Sequence, residues 1–371
     1  MGHRVVFIDL ARALAVVFML YGHTVNALLA PTYQVGPWFD AWQFQRGLTS
    51  SLFLLLSGFA FSIATSRHWA SHLTLSGTVW KRVRRFGLLI LLGYGLHFPV
   101  PRFVELPMAT EVQWHAFLAV DVLQVIGVTL LGVQAVVLLT RSRHLFTIAA
   151  LVLAGIIVAI TPWAWGIEWT RWLAQPLAAY LSPSIGSQFP LLPWAGFLLL
   201  GAGLGQLYAR WDTAHLTRYA NVVLLLPGAV MFAIGLAERL LPSPPFGPGP
   251  AAFIPPQFLV RSGVCLVMLA ALAHGSRRIS RLPHVFGAVA QETLLIYFVH
   301  LCIVYGSVWT PGLYQAYGPT LGPGMVFLFV ILMLVAMSGL AWYWNWWKHT
   351  RPRAARWMAA GALGALVARL L

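Results

Sequence analysis

The sequence predicts an all-α fold: a polytopic membrane helix bundle of about ten to eleven spans with a cytoplasmic N-terminus. Three observations lead there. Of 371 residues, 59% are hydrophobic and only 9% are charged, whereas a soluble domain usually carries about 25% charged residues. Apolar runs of membrane-crossing length recur along the whole chain. Basic residues collect at alternate ends of those runs.

The runs lie, in order, near 7–29, 45–65, 83–99, 117–139, 145–163, 190–209, 219–240, 258–275, 286–309 and 323–347. Each approaches the roughly 20 residues that a tilted helix needs to cross a bilayer. An Ala-rich run, 354–370, reads either as an eleventh span or as an interfacial helix. One set of ends carries Arg4, Arg67, Lys81, Arg82, Arg84, Arg85, Arg141, Arg143, Arg210, Arg218, Arg277, Arg278, Arg281, Lys348, Arg351, Arg353 and Arg356. The opposite ends carry Arg102, Arg171 and Arg239. The excess of Lys and Arg marks the cytoplasmic side and sets the orientation. Loops 30–43, 164–189 and 241–257, on the opposite side, are rich in Trp, Tyr, Pro and Gly, as an aromatic belt at the interface would be. A glycan platform is the other reading of those rings. The chain, 1–371, reads as a single membrane domain in a cell membrane, with the lipid bilayer as its first partner.

The net charge of +15 invites a nucleic-acid reading, but these basic residues form no single soluble patch, so nucleic acid is not expected. Cys265 and Cys302 both fall in apolar runs, which leaves no disulfide framework and no metal-ligand spacing.

Ionisable residues in a span are costly and mark sites. In the first run, ten residues separate Arg12 from His23. At 100° and 1.5 Å per residue the two point within about 20° of each other and lie about 16 Å apart along the axis. Asp9 lies one turn before Arg12 and can pair with it; Asn26 lies one turn beyond His23. A polar stripe of Asp9, Arg12, His23 and Asn26 therefore follows one face, away from lipid. A histidine there titrates near neutrality and is suited to take a proton from a hydroxyl or amine. The plainer alternatives are an ion pair anchoring the helix start and a buried histidine bonded to another helix.

Several stretches together resemble the transmembrane acyltransferase superfamily, which includes the acyltransferase-3 proteins and the heparan-α-glucosaminide N-acetyltransferase catalytic family. Arg12 and His23 match the Arg, ten residues, His mark of the first span. Ser57, Gly58 and Phe59 are similar to the Ser-Gly-Phe of the second, and Arg82 and Arg85 to the Arg-x-x-Arg opening the third. Tyr297 and His300 are similar to a late Tyr-x-x-His. DVLQVIGV, with Asp121 and Gln124, and FPLLPWAGFLLLGAGLG, with Pro190, Pro193 and Trp194, resemble the glucosaminide branch. That branch places its catalytic histidine in the first lumenal loop. Here Pro31 to Gln45 holds no histidine, so His23 would have to substitute.

The resemblance implies an acyl-coenzyme A donor, acetyl-CoA above all, and an extracytoplasmic carbohydrate hydroxyl or amine as acceptor. Lys81, Arg82, Arg84 and Arg85 then suit the donor phosphates, since guanidinium forks match phosphate oxygens. Arg12 lines the path of the pantetheine arm or stays paired with Asp9. His23 acts as general base or carries the acyl group briefly. Asn26, Ser57 and Arg46 are candidate oxyanion donors. Arg46, Asp121, Tyr297, His300 and Arg261 are candidates for the acceptor, with a pair to Glu238 as the other expectation for Arg261. No metal is expected. The alternative function is a proton-coupled transporter using Arg12, His23, Glu292 and His300 as a relay; no matching halves of the inverted-repeat kind occur.

Overall fold

The structure, a computed structural model, describes residues 5–211, 215–239, 250–279 and 282–370. Of the features read from sequence, Arg4, Arg281 and residues 241–249 of the third aromatic loop lie outside these, as does the side chain of Arg239. The regular structure among the described residues is helical: α1 (Val6–Leu28), α2 (Pro37–Arg67), α3 (Gly77–Leu96), α4 (Glu111–Leu118), α5 (Val122–Thr140), α6 (Arg143–Trp165), α7 (Gln175–Ala178), α8 (Leu191–Tyr208), α9 (Leu216–Tyr219), α10 (Leu226–Arg239), α11 (Ile254–Ser276), α12 (His284–Gln291), α13 (Thr293–Val304), α14 (Leu313–Tyr317), α15 (Pro323–Thr350) and α16 (Pro352–Ala368). A π-helical turn, Ala220–Leu225, joins α9 to α10.

Among the described residues, eight helical runs are long and apolar enough to cross a membrane: α1, α2, α5, α6, α8, the run Leu216–Glu238, α11 and α15. They become nine if α12 and α13, which meet at 77°, count as one bent span. The difference from ten or eleven has local causes. In α3 the basic quartet stands inside the helix, leaving Phe86 to Leu96 as an apolar remainder of about 16 Å, half a hydrocarbon core. The Ala-rich run forms α16, of 17 residues.

The run 286–309 is not one straight helix. It breaks at Glu292, whose side chain is 5% exposed. Lys348 Nζ donates to its carboxylate at 2.6 and 2.8 Å, and Asn345 Nδ2 at 2.9 Å. A carboxylate is tolerated at depth only when paired and hydrogen-bonded, and α15 supplies both partners. Similarly, the run 117–139 is not one helix: α4 ends at Leu118 and α5 begins at Val122. Asp121 ends the preceding segment by accepting from Val122 N at 2.7 Å, while Gln124 Oε1 accepts from Asp121 N at 3.3 Å. This reciprocal cap satisfies two donors that a helix start otherwise leaves unpaired.

The described chain divides into two compact units. The first comprises Met1–Thr49, Leu96–Phe117 and Arg278–Leu371. Here α1 packs on α12, α13, α14 and α15. Beyond its C-terminus, Ala30 N donates to Leu321 O at 3.0 Å and Leu321 N to Leu28 O at 2.9 Å, tying the α1 exit to the segment entering α15. The second unit comprises Ser50–Gly95 and Leu118–Arg277. Here α8 packs on α5 and α6, and α11 on α6 and α10. In lipid there is no hydrophobic drive between helices, so close backbone approach and buried polar bonds hold such units together. The second unit shows both: Ser62 Oγ donates to Ala202 O at 2.7 Å and Ser66 Oγ to Gln206 Oε1 at 2.7 Å. Large apolar side chains stay exposed along α6, α10 and α15, as lipid-facing helices require.

Candidate functional site

The first unit holds a polar cluster built on the last two turns of α1. His23 Nδ1 lies 3.2 Å from Tyr305 Oη. Asn26, one turn on, donates from Nδ2 to the same hydroxyl at 3.3 Å. Arg46 Nη1 donates in turn to Asn26 Oδ1. A guanidinium has donors only, so Asn26 must turn its carbonyl oxygen to Arg46 and its NH₂ toward Tyr305. The result is an ordered chain of Arg46, Asn26, Tyr305 and His23. Arg46 is also stacked on Trp42, its Cζ 5.5 Å from the ring centre.

His300 completes the cluster. Its ring centre is 5.3 Å from that of His23, and Tyr297 meets it edge-on at 5.7 Å. His300 is fully buried, and its Nδ1 lies 2.8 Å from Ile296 O. A carbonyl can only accept, so Nδ1 carries a hydrogen. The Nε2 of His300 is buried without a hydrogen-bond partner.

Local sequence explains why Tyr305 is there. α13 ends at Val304, and Gly306 follows with φ 77°, a left-handed conformation natural to glycine. A Cβ at Gly306 would stand 2.8 Å from Gly312 N, so the turn also needs the missing side chain. Gln315 Nε2 donates to Tyr305 O at 2.7 Å and locks the corner.

The structure brings together His23, Asn26, Arg46, Tyr297 and His300 of the expected residues. Arg12 sits lower on α1, 3.8 Å from Asp9, in the ion pair that the spacing allows. The others have different surroundings. Ser57 turns its hydroxyl back to Phe53 O of its own helix at 2.7 Å. Asp121 caps α5, as described. Arg261 lies over Trp194, with 5.7 Å from Cζ to the ring centre. The basic quartet splits: Lys81, Arg84 and Arg85 are exposed, whereas Arg82 donates to Thr65 Oγ1 at 2.7 Å and lies 4.8 Å over Phe61. Near them a surface cleft is lined by Arg67, His68, Trp69, Ser71, Thr78 and Arg143.

Two features of this unit were not legible in the sequence. Tyr305 ends an apolar run and is followed by Gly, a helix-end signal, but nothing there tells which helix the hydroxyl meets. The Glu292–Lys348 pair joins residues 56 apart. Among the described residues, no three His, Cys, Asp or Glu side chains gather to hold a metal ion.

No curated protein matches the chain. The catalytic family of heparan-alpha-glucosaminide N-acetyltransferase does match, over residues 4–234, which takes in α1 with His23 and Asn26, and Arg46 of α2. The match spans more than half of a chain whose polar cluster stands on that first helix, and the chain belongs to this family.

Proposed function

We propose that this multi-pass membrane protein of acetyltransferase type takes acetyl-CoA from the cytoplasm and acetylates a carbohydrate amine or hydroxyl on the opposite face. The observation that carries the reading is the bonded chain from Arg46 to His23 in a member of this family. His23 is assigned as the general base. The acceptor's N–H or O–H gives its proton to the imidazole as nitrogen or oxygen attacks the thioester carbon. The tetrahedral intermediate carries an oxyanion, and collapse breaks the C–S bond. The departing sulfur takes the proton from His23, so the protein ends unchanged.

Asn26 suits the oxyanion. Its amide has two hydrogens, of which one goes to Tyr305, and Arg46 on its carbonyl oxygen strengthens the other as a donor. Such a donor is worth about 10²- to 10³-fold in rate. Lys81, Arg84 and Arg85, exposed on α3, are assigned to the donor phosphates. Arg82, engaged with Thr65, is assigned to support them rather than to touch the donor.

The test uses the purified full chain in lipid nanodiscs, with labelled acetyl-CoA and an amino sugar such as glucosamine. Release of coenzyme A should depend on the acceptor, and acetylated sugar should appear in equal amount. His23→Ala should lower turnover by about 100-fold or more while the protein stays folded. A folded His23→Ala variant with undiminished turnover would remove His23 from the chemistry. Absence of any acetyl transfer by wild type to amino or hydroxyl sugars would end the reading.

A further inference from the structure

We propose that Tyr305 is the positioning residue of His23: its hydroxyl holds Nδ1, so that Nε2 is the ring nitrogen presented to the acceptor's N–H or O–H. This rests on the acetyltransferase reading of His23 and deepens it. Three contacts fix the imidazole. Nδ1 lies 3.2 Å from Tyr305 Oη, the Tyr305 ring meets it edge-on at 5.5 Å and 89°, and the His300 ring stands 5.3 Å away. A ring so held does not rotate to exchange its nitrogens without breaking the bond to Tyr305.

Tyr305 is itself held firmly. Its backbone N donates to Leu301 O at 2.8 Å, and its backbone O accepts from Gln315 at 2.7 Å. Its ring meets Tyr314 at 6.3 Å. Its hydroxyl receives Asn26 Nδ2–H at 3.3 Å. A phenolic oxygen has two acceptor sites and one hydrogen. With one site filled by Asn26, the second can accept from His23, and we assign His23 the tautomer that carries its hydrogen on Nδ1.

The proton balance follows. When Nε2 takes the acceptor's proton, the ring carries hydrogen on both nitrogens, and Tyr305 Oη accepts the one on Nδ1. A bond from carbon to nitrogen or oxygen forms, the C–S bond breaks, and Nε2 returns its proton to sulfur. Tyr305 keeps its own hydrogen throughout and exchanges none. Among the titratable and charged groups around His23 are Tyr305, His300 and, through Asn26, Arg46. On the neighbouring helices, Glu292 is engaged by Lys348, Tyr297 packs on His300, and Tyr314 packs on Tyr305.

Tyr305→Phe keeps the ring and removes only the hydroxyl. Folded variant should show kcat reduced about tenfold or more, with KM for acetyl-CoA within about twofold of wild type. A merely structural role would lower the amount of folded protein and leave the kcat of that fraction intact. A second readout needs neither donor nor acceptor: the rate at which diethyl pyrocarbonate modifies His23, followed by mass spectrometry of its peptide. That rate should differ at least about threefold between wild type and Tyr305→Phe, because the hydrogen bond at one ring nitrogen sets the reactivity of the other. If the phenylalanine variant does not accumulate folded, Tyr305→Leu is read in the same two ways. Unchanged kcat together with unchanged His23 modification overturns the proposal. A changed modification rate in a protein that transfers no acetyl group overturns the acetyltransferase reading and leaves the Tyr305–His23 link standing.

Discussion

His72 shows how one side chain in the second unit fixes a pH response. It ends the short 3-10 helix Trp69–His72, outside the membrane-spanning helices, and is 1% exposed. Burial, then the Arg82 guanidinium, then His68, push its imidazole down to about 4 from the ordinary 6.5. The folded state therefore keeps the ring neutral, while the unfolded chain takes up a proton below about 6.5. Its contribution to stability is complete above pH 6.5 and is lost as pH falls from there toward 4. Thermal midpoints in detergent should drop across that window, and His72→Gln should drop less. Carboxylates also titrate there, so the difference between the two proteins is the quantity to read. Parallel curves would show that His72 binds its proton equally well folded and unfolded. This effect was not legible in the sequence. A histidine after Ser71, in a loop between two apolar runs, looks solvated, and only the fold reveals that Arg82 of α3 is close enough to repel its charge.

Helix packing explains what several sequence marks do. Gly201 and Gly205, four apart on α8, lie against the backbone of α2: a Cβ at Gly201 would be 1.9 Å from Leu55 O, and one at Gly205 would be 2.5 Å from Phe59 O. Reciprocally, a Cβ at Gly58 would be 1.9 Å from Leu198 O. Small residues spaced by four are the usual means by which helices approach in lipid, where packing replaces the hydrophobic drive. The Ser-Gly-Phe and Gly-Ala-Gly-Leu-Gly stretches were readable as marks, but their partners were not, because a glycine repeat names no target helix. Gly201→Ala should lower stability by about 1–3 kcal/mol or more, since backbone rather than a movable side chain is in the way. Gly155→Ala, with open space around it on α6, should be neutral or raise stability by about 0.5–1 kcal/mol through helix propensity. Midpoints of the two variants in one detergent decide it, and equal values would show that α2 and α8 separate freely. The broken α12–α13 run teaches the same lesson: an apolar stretch reveals its length, while the polar partner that bends it lies far along the chain.

At the scale of the molecule, run length and basic residues are two separate signals in the sequence, one for the crossings and one for the side of the membrane. The runs read from the sequence include every described helix long and apolar enough to cross, while α3, with its basic quartet, and α16, of 17 residues, are not among those helices. Charge is a separate signal, because Lys and Arg resist translocation while Asp and Glu contribute little. Within the first unit, exposed Arg351 and Arg353 mark one end of α15, and exposed Arg102 belongs to the segment beyond α3. Within the second, exposed Arg67 and Lys81 mark one side, and exposed Arg171 the other. The proposed entry of acetyl-CoA from the cytoplasm depends on this orientation, since the donor's phosphates do not cross a bilayer. Single cysteines at Lys81, Arg353, Arg102 and Arg171, in a chain with Cys265 and Cys302 replaced by Ser, give a direct reading. In sealed right-side-out vesicles, an impermeant maleimide should label Arg102→Cys and Arg171→Cys, whereas Lys81→Cys and Arg353→Cys should react only after permeabilisation. The reverse pattern would put the arginines of α3 on the outer face, and the donor would then have to be sought there.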